Sequence, residues 1–165
     1  QQYGRNYICA VPNNLYGPHD NFDLENSHVI PAIIRKIWDA KQTGVAPTFW
    51  GDGSPLREFT YSNDVADCLL YLLENYSEEL PINVGNVGEL SIREIIEKVS
   101  EMMQYSGEVK WDSEKPAGQF KKPSDNSRFI ELGWDPKRYT SFDVGLSETI
   151  DWFLKSYPNI RGINK

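Results

Sequence analysis

The sequence predicts an α/β fold, and three observations carry the expectation: short apolar runs closed by turn residues, apolar stripes at helical spacing, and repeated alternation of the two along the chain. Residues 7–11 form a short apolar run closed by Pro12, which suits a buried strand whose end opens into a loop over residues 13–18. Ile30, Ile33, Ile34 and Ile37 then repeat at helical spacing, with Pro31 tolerable in the first turn and Gly44 as a stop, so a helix starts just after His28. Residues 48–50 and 58–61 read as short strands flanking the turn 51–55. Val65, Ala66, Leu69, Leu70, Leu72 and Leu73 make a helical stripe behind a cap at Ser62 or Asn63. A strand at 81–85 precedes Ser91-Ile92-Arg93-Glu94, a capping box in which the serine oxygen accepts the Glu94 amide proton while the glutamate reaches back to the serine amide. Ile92, Ile95, Ile96, Val99 and Met103 follow on one face of that helix. A strand at 109–111, a short helix at 127–132 stopped by Gly133 and a last amphipathic helix at 142–154 complete the alternation.

With 165 residues, 39% apolar and 13% aromatic, the chain is long enough for one domain with a real core, and also of a size common for part of a larger enzyme. Its longest apolar runs, such as 29–34 with Pro31 inside, fall far short of the roughly 20 residues a membrane span needs, and no signal pattern opens the chain. A soluble protein without a membrane partner is expected. A formal net charge of −7 argues against nucleic acid as a partner while leaving room for a small anionic ligand held by a local cluster of cations. Cys9 and Cys68 are expected as two buried thiols in a reducing compartment, with neither a disulfide framework nor a metal site implied.

Two patterns are missing from the sequence. No G-x-G-x-x-G opens the chain, and none of the nine tyrosines has a lysine four positions later, the spacing by which one helix face presents a phenol and an ammonium for hydride chemistry. Three stretches can carry a site. Asn13, Asn14, His19, Asp20, Asn21, Asn26, Ser27 and His28 crowd between an apolar run and an amphipathic helix, either as turn-forming residues of a solvated loop or as a polar wall. Within that stretch His28 sits at the helix start, where an imidazole is fixed and can exchange a proton near neutral pH. Trp50, Gly51, Asp52, Gly53 and Arg57 set an indole and a guanidinium around a glycine-rich turn, either as a plain hairpin or as a grip on a diphosphate. Lys115, Lys121, Lys122 and Arg128 concentrate cations in an otherwise acidic chain, as a solvated basic loop or a phosphate-binding one.

Taken together, the runs Pro12-Asn13-Asn14-Leu15-Tyr16-Gly17-Pro18-His19-Asp20-Asn21-Phe22, Ser27-His28-Val29-Ile30-Pro31-Ala32 and Trp50-Gly51-Asp52-Gly53-Ser54-Pro55-Leu56-Arg57-Glu58-Phe59 resemble the GDP-L-fucose synthases, bifunctional epimerase-reductases among the extended short-chain dehydrogenases. The likeness continues through Ile82-Asn83-Val84-Gly85, Lys115-Pro116 and Leu132-Gly133-Trp134. It implies that residues 1–165 form one C-terminal, substrate-binding portion: the end of a Rossmann sheet plus the smaller substrate domain, with the dinucleotide-binding half, a partner cysteine and the Ser, Tyr and Lys hydride-transfer residues lying upstream of Gln1. It also implies a GDP-sugar substrate, NADP as cofactor, a homodimer and a cytoplasmic location. By position, His28 would be the acid that reprotonates sugar carbons and would lie near the nicotinamide. Pro12, Asn13, Asn14 and Leu15 would line the NADP site, and Lys36, Trp50 and Arg57 would hold the GDP-sugar. Three positions depart from the pattern: Asn13 where Thr is frequent, Lys36 where Arg is also found, and Ala117 where an acidic residue that contacts the substrate is expected. Competing expectations are another nucleotide-sugar epimerase or dehydratase of the same superfamily and a non-catalytic binding or dimerisation module.

Overall fold

The computed structural model describes residues 3–163. Seven strands and five helices follow in the order β1 (Ala10–Pro12), β2 (Asn14–Tyr16), α1 (Val29–Thr43), β3 (Thr48–Trp50), β4 (Leu56–Tyr61), α2 (Ser62–Asn75), β5 (Ile82–Val84), β6 (Glu89–Ser91), α3 (Ile92–Met102), β7 (Lys110–Asp112), α4 (Ser127–Glu131) and α5 (Phe142–Ser156), with a 3-10 turn at Pro136–Arg138 before α5. The α/β expectation therefore holds. Three small sheets carry the strands: β1 beside β5, β2 beside β4 beside β6, and β3 beside β7. All pairs are parallel except β4 with β6, where Leu56 faces Ser91.

Helix ends fall where side-chain chemistry puts them. The capping box at Ser91 is complete: its Oγ accepts the Glu94 amide at 3.1 Å and its own amide donates to Glu94 at 2.7 Å. Gly44 closes α1 at φ +72°, a left-handed conformation that costs a side-chain-bearing residue energy, and its N–H donates to Ala40. In α5 the glycine at 145 answers a packing demand, since a Cβ there would lie 2.5 Å from the Tyr16 hydroxyl. That close approach lets α5 seat on β2 and β4.

Two cores result. The larger joins Ile30, Ile33, Ile34 and Ile37 of α1 to Ile95, Ile96 and Val99 of α3 and Leu146, Ile150 and Phe153 of α5, over Tyr16, Phe59 and Tyr61. The smaller gathers Cys68 and Leu72 of α2, Ile82 and Val84 of β5, Phe129 and Trp134.

Several expectations are corrected. The run 7–11 is not a buried strand: Tyr7, Cys9 and Val11 are exposed, because β1 pairs along one edge only, with β5. Cys9 is thus a surface thiol, and only Cys68 is a core one. Residues 14–16 of the expected loop are a strand, drawn into register beside Phe59, Thr60 and Tyr61. The strands flanking the turn 51–55 do not pair with each other, since β3 takes β7 and β4 takes β2 and β6. On α2 the stripe splits, with Val65, Cys68 and Leu72 inward and Leu69, Leu70 and Leu73 exposed. No helix among the described residues is long and apolar enough to cross a membrane.

Candidate functional site

A cleft of about 500 Å³ opens where β1 gives way to β2 and where α1 begins. Asn13, Asn14, Leu15, Tyr16, His19, Asp20, His28, Arg57, Phe59 and Ser62 line it. Its location follows from the topology, because the carboxyl ends of parallel strands leave a concavity that loops and helix starts fill. The structure thus brings Asn13, Asn14, Leu15, His28 and Arg57 together. Pro12, Lys36 and Trp50 are not among the residues lining this cleft.

His28 occupies the cap position of α1 in an extended backbone conformation, φ −73° and ψ 172°, and its side chain makes no capping bond. Its backbone carbonyl accepts from Ala32 at 3.1 Å, which anchors the residue, while the exposed imidazole has no hydrogen-bond partner among the described residues. A fixed backbone with an uncommitted ring suits proton exchange with a ligand. Much of the remaining polarity of the loop has a plainer use: Asp20 accepts from the Asn21 amide, and Asp23 Oδ1 accepts from the amides of Glu25 and Asn26. Phe22, fully buried, pins the loop to the core between Trp152 and Phe153.

Behind the cleft wall lies a network that sequence reasoning did not find. Glu58, 2% exposed, accepts from the Ser124 amide at 3.0 Å, the Ser124 hydroxyl and Asn13 Nδ2 at 3.4 Å. Thr60 donates its hydroxyl proton to Asn13 Oδ1 at 2.6 Å, and Asn13 Nδ2 also donates to the Asn86 carbonyl at 2.8 Å. Asn14 donates to the Glu58 carbonyl at 2.8 Å. The Asn13 amide is therefore engaged through both its oxygen and its nitrogen, whereas the exposed Asn14 gives only its Nδ2 to a protein partner, and with the half-exposed Leu15 it forms the wall.

Arg57 reaches from the cleft toward the next loop. Its Nη1 donates to the Leu56 carbonyl at 2.6 Å, and a Cβ built on Gly118 would lie 3.4 Å from its Nη2. Lys36 donates from Nζ to the Thr48 carbonyl at 2.8 Å and lies 5.0 Å over the Phe49 ring; burial holds its pKa below the ordinary lysine range. Trp50 is 64% exposed, with the Lys115 ammonium 6.0 Å over its ring. The basic stretch does not stay together: Lys121 pairs with Glu89 at 2.6 Å, and Arg128 turns to Tyr76, Glu78 and the Pro81 carbonyl. Ala117 contributes only a methyl group, packed so tightly on Gly51 that a Cβ there would lie 2.7 Å from it. Tyr16 also lines the cleft. Burial first, then the carboxylates of Asp64, Asp143 and Glu148, push its phenol far above the ordinary range, and its hydroxyl donates to the Phe142 carbonyl at 3.2 Å.

A cleft at the ends of parallel strands is where α/β folds hold their ligands, and residues 1–88 match the NAD dependent epimerase/dehydratase family, to which the chain belongs. Among curated relatives, GDP-L-fucose synthase 1 of Arabidopsis thaliana is 45% identical over 159 residues, 96% of this chain and 49% of that protein. GDP-L-fucose synthase of Escherichia coli is 39% identical over 172 aligned residues, 98% of this chain and 53% of that protein. The crystal structure of a GDP-L-fucose synthetase from Naegleria fowleri bound to NADP superposes with a TM-score of 0.88 at 38% identity, over 93% of this chain and 48% of that one. The chain spans about half the length of the curated relatives it matches.

Proposed function

We propose that this chain is the substrate-binding portion of an NADP-dependent epimerase-reductase that converts GDP-4-keto-6-deoxy-D-mannose to GDP-L-fucose. The observation that carries the reading is the cleft in which His28, the strand end at Asn13, Asn14 and Leu15, and Arg57 meet, in a chain similar across its length to GDP-L-fucose synthases. A ketone at C4 acidifies the protons on C3 and C5, so a base on one face and an acid on the other invert each centre through an enolate. The uncommitted imidazole of His28 is the group placed to return those protons. Arg57 offers a planar fork of donors to the diphosphate, and on the resemblance Trp50 and Lys36 also hold the GDP-sugar.

The strand end fits one wall of a dinucleotide site. It lies at the carboxyl edge of a parallel pair, and Gly85 lets the neighbouring strand pass so close to Asn13 that any Cβ there would collide with the Asn13 amide. When bound, NADPH supplies the hydride that reduces the C4 ketone. Residues 12–15 would give it a backbone wall, with Pro12, in β1, holding the wall against Val84. The base, the hydride-transfer residues and the glycine-rich loop are, on this reading, supplied from outside these 165 residues, so the chain alone binds without turning over. The resemblance extends the proposal to a cytoplasmic homodimer.

The role of His28 is tested in a longer enzyme that contains this chain. His28→Asn should abolish solvent-deuterium incorporation at C3 and C5 of the keto-sugar, with a loss of about a hundredfold or more for removal of a general acid. Undiminished incorporation would remove His28 from the mechanism.

A further inference from the structure

Glu58 is a buried carboxyl group for which the proposed mechanism has no use. It lies on β4 beside Arg57, but successive strand residues face opposite ways, so Arg57 opens on the cleft while Glu58 turns inward, 2% exposed. Two features make it an unfavourable residue in that place. It has no ion pair among the described residues, and a buried acidic group without a cation depends wholly on hydrogen-bond donors. Directly across the ladder on β6 stands a second glutamate, Glu89, and two acidic side chains in opposed positions weaken a sheet. An apolar side chain of similar volume would be easier to accommodate. The stability of the strand does not account for Glu58.

What it holds does. Three donors converge on its Oε2: the Ser124 amide at 3.0 Å, the Ser124 hydroxyl, and Asn13 Nδ2 at 3.4 Å. Ser124 belongs to the irregular segment between β7 and α4, and Glu89 fastens the same segment through Lys121 at 2.6 Å. Asn13 stands at the strand end itself. Its amide is oriented from two sides: Nδ2 donates to Glu58 and to the Asn86 carbonyl at 2.8 Å, and Oδ1 accepts the Thr60 hydroxyl proton at 2.6 Å. Thr60 in turn accepts from the Asn86 amide at 2.8 Å. Without the acceptor at Glu58, one N–H of Asn13 loses its partner, an imbalance relieved by turning the amide and shifting the backbone that carries it.

We infer that Glu58 is a positioning residue for the cofactor: it touches no ligand, and through Asn13 it fixes the strand end, residues 12–15, that forms the NADPH wall on the proposed function. The inference rests on that reading and adds to it a residue outside those that line the cleft. Because Lys121 and Glu89 keep the segment before α4 fastened when Glu58 is changed, the effect falls on the strand end.

Steady-state kinetics of a longer enzyme that contains this chain test it. Glu58→Leu should raise KM for NADPH about tenfold while leaving kcat and KM for the keto-sugar within about threefold, the pattern of lost cofactor binding and intact chemistry. Glu58→Gln still turns one oxygen to the three donors and should keep KM for NADPH within about threefold of the parent value. A residue that served only to fold the chain would lower the yield of active enzyme, and so the apparent kcat, without moving either KM. Where Glu58→Leu does not fold, Thr60→Val reads the same wall one hydrogen bond further on and should raise KM for NADPH severalfold. An unchanged KM for NADPH in the folded leucine or valine variant overturns the inference, as does a glutamine variant as impaired as the leucine one. Absence of NADPH-dependent reduction in the unsubstituted enzyme overturns the proposed function itself.

Discussion

Cys9 and Cys68 show how one residue type can have opposite environments that the local sequence does not distinguish. Both stand in apolar runs, yet Cys9 lies just ahead of β1 and is exposed, while Cys68 faces the core from α2. Burial pushes the Cys68 thiol up to about 11, against the pull of its contact with the Tyr139 hydroxyl. A thiol-specific chromogenic reagent at pH 8 should therefore label one sulfur per folded chain, at Cys9, and two after denaturation. Rapid labelling of Cys68 in the folded chain would contradict the packing described for α2. The site shows the same contrast between side-chain type and surroundings. His28, Asn13 and Arg57 stood out because their chemistry is visible in the residue name. Glu58 did not, because a glutamate next to an arginine reads as a surface ion pair, and its real partners, Asn13 and Ser124, are 45 and 66 residues away.

At the scale of elements, legibility followed length and capping chemistry. The helices α1, α3 and α5 announce themselves through apolar spacing, the first two also through the stop at Gly44 and the cap at Ser91. Three-residue strands carry no measurable period, which is why β2 passed for a loop and β6 went unseen. Pairing was illegible for another reason: β3 finds β7 and β2 finds β4 across long stretches of chain, and no local turn dictates either choice. The capping box of α3 gives a quantitative test. Hydrogen bonds from Ser91 hold the Glu94 carboxyl below its ordinary range. A depressed carboxylate contributes stability that is present above its unfolded pKa, about 4.3, and is lost as pH falls through the folded value. Ser91→Ala should cost about 1 kcal/mol in urea unfolding near pH 7, and the gap to the unsubstituted chain should narrow below about pH 4. A gap that stays constant to pH 3 would mean that the Glu94 charge takes no part in the cap.

Across the whole molecule, the two cores meet where β1, packed on the smaller, gives way to β2, packed in the larger. Asn13 and Thr60 are bonded to each other and to Asn86, which leads out of β5, so the cleft wall is tied to both cores at once. Asn126 extends the tie by donating to the Gly85 carbonyl at 2.8 Å, and Asp64, at the start of α2, accepts from Thr140 just ahead of α5. The fold class could be expected from alternation alone. The position of the loop 113–118 against the turn 51–55 could not, because nothing local in the sequence brings the two segments together. On the proposed function, Arg57, which reaches from the cleft to that loop, is the residue on which nucleotide-sugar binding turns. The most direct measurement is calorimetric titration of this chain with GDP beside its Arg57→Ala variant. Binding by the parent sequence, weakened about tenfold or more in the variant as expected for loss of a charge-assisted diphosphate contact, is the predicted result. Equal GDP affinity in the two proteins, or none in the parent, would contradict the account.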